Sequence, residues 1–190
     1  MKKSKTRFAV LGILSYGPMS GYDIKKFYEQ NVAGFWKESY GQIYPILKRL
    51  AEEGLATKSI RKQEGKPDRH IYVITEKGRG QLRQWLVAPT GPHIGRHETL
   101  LKLMFGQQIS IADNILQIKR FRSRQIKELK EIETLKQRFT GEVADDPNMP
   151  FWRLAFAYGE HVNRAYVDWA DEALVTLTAM EDKASPSEKD

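Results

Sequence analysis

Apolar positions recur along the first half of the chain in short helical registers, broken at regular intervals by turn residues. Phe8, Val10, Leu11 and Leu14 predict a helix that stops at Tyr16-Gly17-Pro18. Ser20 can cap a second helix, carried through Asp23, Ile24, Phe27 and Tyr28. A loop follows from Asn31 to Glu38, and a third helix is expected to start at Ser39, where Ser39-x-x-Gln42 has the capping-box arrangement. Tyr40, Ile43, Leu47, Leu50 and Ala51 form its apolar face, and Gly54 closes it. Two strand candidates, Ala56 to Arg61 and Arg69 to Thr75, flank the charged turn 62–68, and a helix from about Glu76 to Val87 ends before Pro89. Three helices, a two-stranded hairpin and a fourth helix make the order of a winged helix-turn-helix.

The pattern then changes. Ala88 to Gly95 is rich in Pro and Gly and reads as a linker. Beyond it, Leu100, Leu101, Leu103, Met104 and Phe105 predict a short helix, and a long one follows from about Ile111 to Phe139, striped by Ile115, Ile118, Ile126, Leu129 and Ile132. After a polar loop, Phe151, Ala155, Tyr158, Val162, Ala165, Trp169 and Ala173 recur at steps of three and four residues, nearly a heptad period. The expected architecture is mainly α: a winged helix domain over 1–88, a linker over 89–97, an all-α domain over 98–183 and a disordered tail over 184–190.

Charge divides at the same place. Residues 1–90 hold 17 Lys/Arg against 8 Asp/Glu, a net of +9, whereas residues 91–190 hold 14 against 16, a net of −2. Solubility charge alone would be spread evenly, so a basic module joined to a near-neutral one points to polyanion binding by the first. The chain has no cysteine, which excludes disulfides, thiolate metal sites and cysteine nucleophiles and fits the cytoplasm. No apolar run is long enough to cross a bilayer, and the short one after the basic start lacks a cleavage site.

Within the basic module the third helix is the candidate reader of DNA. With its apolar stripe buried, Gln42, Lys48, Arg49 and the small Gly41 point outward. Glutamine can pair with adenine, while Lys and Arg reach guanine or phosphate in a major groove that accepts one helix. Tyr44 flanks this face, within reach of a phosphate or a thymine methyl. Pro45 conflicts with a regular helix, since it lacks an amide donor and crowds the carbonyl of Gly41. Arg61, Lys62, Lys66 and Arg69 surround the hairpin tip, suited to clamping the backbone or entering the minor groove. Each alone is equally a solvated charge; their joint placement favours DNA. Lys2, Lys3 and Lys5 form a further candidate arm.

Catalytic signals are weak. Gly78-Arg79-Gly80 lacks a third glycine, His93-x-x-x-His97 lies in the linker with only Glu98 adjacent, and neither Ser39 nor Ser59 has a recognisable elbow or base. No cofactor, metal site or enzymatic activity is expected.

Three stretches carry a family resemblance. Leu11-Gly-Ile-Leu-Ser-Tyr-Gly-Pro-Met-Ser-Gly-Tyr-Asp-Ile, Gly41-Gln-Ile-Tyr-Pro-Ile-Leu-Lys-Arg-Leu-Ala-Glu-Glu-Gly-Leu and Gly65-Lys-Pro-Asp-Arg-His-Ile-Tyr-Val-Ile-Thr-Glu-Lys-Gly resemble the PadR-type transcriptional regulators over about residues 8–87. The resemblance implies that Ser39, Gln42, Tyr44 and Lys48 lie on the recognition helix and Lys66 and Arg69 in the wing, and it makes Pro45 a family feature. The second half resembles, through its helix lengths and Phe151-Trp-Arg-Leu-Ala-Phe-Ala-Tyr-Gly, the longer C-terminal domain shared with a virulence-gene activator. That domain implies a homodimer, with Phe151, Tyr158, Val162 and Trp169 as its stripe; packing within one chain is the alternative. The resemblance also implies repression at a near-palindromic operator and release by a small aromatic effector, although the sequence identifies no residues for an effector pocket. An adaptor built on a winged helix without specific DNA binding remains the competing reading.

Overall fold

The structure is a computed structural model that describes residues 5–31, 40–62, 68–91, 95, 97–142 and 145–184. It divides into two compact units, Met1–Pro92 and His93–Asp190.

In the N-terminal unit, α1 (Thr6–Leu14), α2 (Gly21–Asn31), α3 (Ile43–Glu52) and α4 (Glu76–Val87) surround a small sheet of β1 (Met19–Ser20), β2 (Ala56–Arg61) and β3 (Arg69–Ile74). The strand order is β1-β3-β2 with every pair antiparallel, and β2 and β3 form the wing hairpin, in register from Ala56↔Ile74 to Arg61↔Arg69. The expected two-stranded sheet thus gains a third, two-residue strand. Met19 and Ser20 are too short a run to carry an alternating pattern, so only their pairing with Tyr72 and Ile71 defines them.

Val10, Leu11 and Leu14 of α1, Ile24 and Tyr28 of α2, Ile43, Ile46, Leu47 and Leu50 of α3, and Leu55, Tyr72 and Ile74 from the wing share one buried core. Ile46, three residues after Ile43, also belongs to the buried α3 face and widens the stripe expected from the sequence. At the end of α3, Gly54 adopts φ +70, the left-handed conformation that Gly reaches without strain. The Leu55 amide donates to the Leu50 carbonyl at 2.8 Å and the Gly54 amide to the Ala51 carbonyl at 3.1 Å, the paired bonds of a Schellman stop.

The start of α3 corrects the expectation. A 3-10 turn over Tyr40–Gln42 precedes it, the α-helix begins at Ile43, and the capping residue Gln42 makes no side-chain cap bond. This later start removes the conflict at Pro45. As the third residue of the helix it sits in the first turn, where the amide would have no intrahelical partner.

In the C-terminal unit, α5 (Glu98–Met104) and a 3-10 turn lead into α6 (Ile111–Glu142) and α7 (Met149–Ala184). The two long helices meet along a seam with two buried clusters: Ile115, Ile118 and Phe121 against Ala170 and Leu177, and Phe139 against Met149 and Phe156. Lys136 reaches Glu160 at 2.7 Å and Arg122 reaches Asp171 at 2.5 Å, pinning the register from outside. Residues 185–190, most of the expected tail, lie outside the described residues.

Candidate nucleic-acid interface

The amphipathic split of α3 creates the first surface. With Ile43, Ile46, Leu47 and Leu50 facing the core, Gly41, Gln42, Tyr44, Pro45, Lys48 and Arg49 are all exposed. Lys48 is 80% exposed and only loosely opposed by Glu52 at 3.9 Å, one turn on. A pair so far in solvent contributes little, so the ammonium is available to another anion. Arg49 has no ion pair among the described residues, and Ser39 lies outside them.

Tyr44 is less free than its exposure suggests. Its ring lies on the backbone of Gly21, so closely that a Cβ there would stand 2.5 Å from Cε1. It also neighbours Tyr72, whose phenol is pushed up by burial, with the nearby Tyr44 hydroxyl adding to the effect.

The wing supplies the second surface. Arg61 and Lys62 are exposed at the turn end of the hairpin, while Lys66 lies outside the described residues. Arg69, cross-strand partner of Arg61, differs from it. Its Nη2 donates to Ser20 Oγ at 2.8 Å and to Asp23 Oδ1 and Oδ2 at 2.8 and 3.0 Å. Ser20 and Asp23 also cap each other: the Ser20 amide donates to Asp23 Oδ2 at 3.0 Å, and the Asp23 amide donates to Ser20 Oγ at 3.2 Å. Burial alone would raise the Asp23 carboxyl, but the Ser20 hydroxyl and amide and the Arg69 guanidinium outweigh it and hold it below its ordinary value. Sequence grouping by charge put Arg69 with the free cations of the tip, because spacing shows proximity to Arg61 but not to Asp23.

Other groups hold α3 in place from behind. Arg7, almost buried in α1, donates to Glu53 at the end of α3 at 2.5 Å and to Gln81 of α4 at 3.3 Å. Phe8 stacks on Trp85 with ring centroids 4.8 Å apart. Lys77 donates to the Glu53 carbonyl at 2.8 Å, and Thr75 to that of Gly54 at 2.8 Å. Arg7 reads in the sequence as one more basic residue of the N-terminal segment; no local signal marks it as structural.

In the C-terminal unit the proposed stripe divides. Phe151 and Tyr158 are 68% and 69% exposed, in company with Leu154, Val175 and Met180. Val162 is half-buried. Trp169, half-buried, packs edge-on to Phe121 of the same chain with centroids 5.5 Å apart. An indole at the flank of the seam is large enough to reach back to α6, which the spacing could not show.

A helical unit that exposes a cationic helix face and a cationic two-stranded wing is a winged helix domain by its architecture. Comparison with known proteins makes that specific. Residues 10–84 match the model of the transcriptional regulator PadR-like family, and residues 95–178 match the virulence activator alpha C-terminal domain. The chain thus carries a PadR-like domain followed by a virulence activator alpha C-terminal domain, and it is homologous to regulators of the PadR and AphA types. It is 35% identical over 100 residues to the negative transcriptional regulator PadR of Bacillus subtilis, a match spanning 52% of this chain and 55% of that protein. The chain thus spans about half the length of that relative. The fold matches Bacillus subtilis PadR in complex with operator DNA with a TM-score of 0.80 at 24% identity, covering 92% of this chain and 99% of that one. The Vibrio cholerae virulence activator AphA matches with a TM-score of 0.72 at 29% identity, covering 92% and 98%. The relatives are transcriptional regulators and not enzymes.

Proposed function

We propose that the protein is a cytoplasmic, DNA-binding transcriptional repressor that acts as a homodimer on a near-palindromic operator and is released by a small aromatic effector. The observation that carries the reading is the outward face of α3, where Gln42, Lys48 and Arg49 stand exposed over a helix whose other side is locked into the core. Gln42 and Arg49 suit base edges in the major groove, while Lys48, Arg61 and Lys62 suit phosphates. Ser39 and Lys66 complete this set by resemblance to the family. One winged helix module buries only about 600–1,000 Å² against DNA, so tight, specific binding calls for two. The PadR-like domain match over residues 10–84 and the operator complex of the Bacillus subtilis relative are in keeping with this reading.

The second module comes from a second copy of the chain. Phe151, Leu154 and Tyr158 leave a band of apolar surface on α7, and Leu101, Met104 and Phe105 leave another on α5. Exposed apolar patches of this kind mark interaction surfaces. For a homodimer the self-complementary choice is this same unit of another chain.

Selection of bound fragments from a random DNA pool tests the proposal. An enriched inverted repeat is expected, bound with a steep salt dependence: contacts to 6–10 phosphates cost roughly 10³–10⁵ in affinity between 50 and 200 mM salt. Replacing Gln42 with Ala should relax the preference at one base pair, at a cost of about 1–3 kcal/mol. Recovery of no repeat, with a quadruple Gln42, Lys48, Lys66 and Arg69 variant still functional in the cell, would favour the adaptor reading instead.

A further inference from the structure

The first turn of α2 joins two elements that the proposed function assigns to DNA. From the wing, Arg69 donates through Nη2 to Ser20 and to both oxygens of Asp23. From the recognition helix, the Tyr44 ring occupies the space that any side chain at position 21 would need. The strand pairing converges on the same place, since β1, immediately before Gly21, is hydrogen-bonded to β3 through Ser20↔Ile71 and Met19↔Tyr72. Arg61, opposite Arg69 on the hairpin, is exposed and has no ion pair among the described residues.

We propose that Arg69 is a positioning residue: its bond to the Ser20–Asp23 cap locks the wing to α2, and with Tyr44 seated on Gly21 it sets the spacing between wing and recognition helix before DNA arrives. The inference rests on the DNA-binding reading and assigns Arg69 a role different from that of its neighbours. A guanidinium held by a carboxylate has its charge matched already. To reach a phosphate it must surrender three hydrogen bonds and leave Asp23 facing the DNA as an unpaired anion. The guanidinium suits the lock because it stays charged and its Nη2 meets the hydroxyl and both carboxylate oxygens together. Glycine at position 21 suits it because any Cβ there would displace the tyrosine ring.

The two roles separate in a double-mutant cycle read against salt. Arg69→Gln, Asp23→Asn and the double variant are titrated with a fragment selected by the wild-type protein, with Arg61→Gln as comparator. A lock predicts that each single change weakens binding up to about fivefold and that the double variant is little worse than either, because both remove one interaction. The salt slope should stay near that of wild type for the Arg69 and Asp23 variants and fall by about 0.9 for Arg61→Gln, which loses a phosphate contact. Gly21→Ala should weaken binding in the same slope-neutral way. In the free protein, Arg69→Gln and Asp23→Asn should each speed hydrogen exchange of the Ser20 amide and of the β1–β3 ladder, with helix content unchanged by circular dichroism. A slope that drops by about 0.9 in Arg69→Gln while Asp23→Asn binds normally would make Arg69 a phosphate contact and overturn the lock. Unchanged exchange in both variants would overturn it independently of DNA, whereas failure of the wild type to select any fragment overturns the DNA reading.

Discussion

The two units bury their apolar residues in opposite styles. In the N-terminal unit, residues from three helices and the wing close around Leu11, Leu14, Ile24 and Leu47, all fully buried, while the cations of α3 and the hairpin stay outside. The C-terminal unit is little more than two long helices, and its buried residues fall into two separate clusters along one seam. Much of its apolar surface stays exposed, including Phe151, Leu154 and Tyr158 on α7 and Leu101, Met104 and Phe105 on α5. One unit has a finished core and offers polar chemistry to a partner. The other has half a core and offers apolar area. Under the proposed function the basic module meets the polyanion, and the near-neutral apolar face meets a second copy without charge repulsion.

The largest effect should come from breaking the finished core. Leu47→Ala removes a fully buried side chain from the inner face of the recognition helix and is expected to cost about 2–5 kcal/mol in urea denaturation. A loss below about 1 kcal/mol would mean that the site collapses easily and that this core is less closed than it looks.

Next comes the open face. Replacing both Phe151 and Tyr158 with Glu should raise the dimer dissociation constant at least about 100-fold, roughly 2.8 kcal/mol, in sedimentation equilibrium. Helix content should persist, because both side chains point away from the α6 seam. A dimer that withstands the pair would place the seam elsewhere, with α5 the next surface to test.

The smallest effect concerns the wing lock and its pH dependence. Asp23 is held below its ordinary value in the folded state, so its contribution to stability is complete above the normal carboxylate range and declines as acid takes the pH down through the lowered folded value. The stability gap between wild type and Asp23→Asn should therefore be constant near neutrality and close in strong acid. At this half-exposed pair it should not exceed about 1 kcal/mol. A gap that widened on acidification would contradict the pairing.

Much of this was legible along the chain. Helical periodicity located α1, α2 and the long helices, because each buries one face and the 3.6-residue repeat records which, whereas α4 was bounded by the hairpin before it and Pro89 after it. The Gly54 stop was legible for a similar reason: a left-handed residue after an apolar run favours Gly. The exposed face of α3 followed from its buried one. Where α3 begins was not legible, since Ser39-x-x-Gln42 and the turn at Tyr40–Gln42 compete locally, and the resolution of the Pro45 conflict rests on a start at Ile43.

What the amino-acid order settled is whatever one element decides alone: apolar stripe, turn, charge content, and the division between a basic and a neutral half. What needed the assembled fold is whatever depends on residues far apart in sequence. Arg69 became an anchor because Asp23 lies 46 positions earlier, Arg7 a brace because Glu53 lies 46 later, and Trp169 an internal contact because Phe121 is on the facing helix. A cation looks the same in a sequence whether its counter-charge is a phosphate or its own chain's carboxylate. Only packing in three dimensions decides which of the two stands within hydrogen-bonding distance.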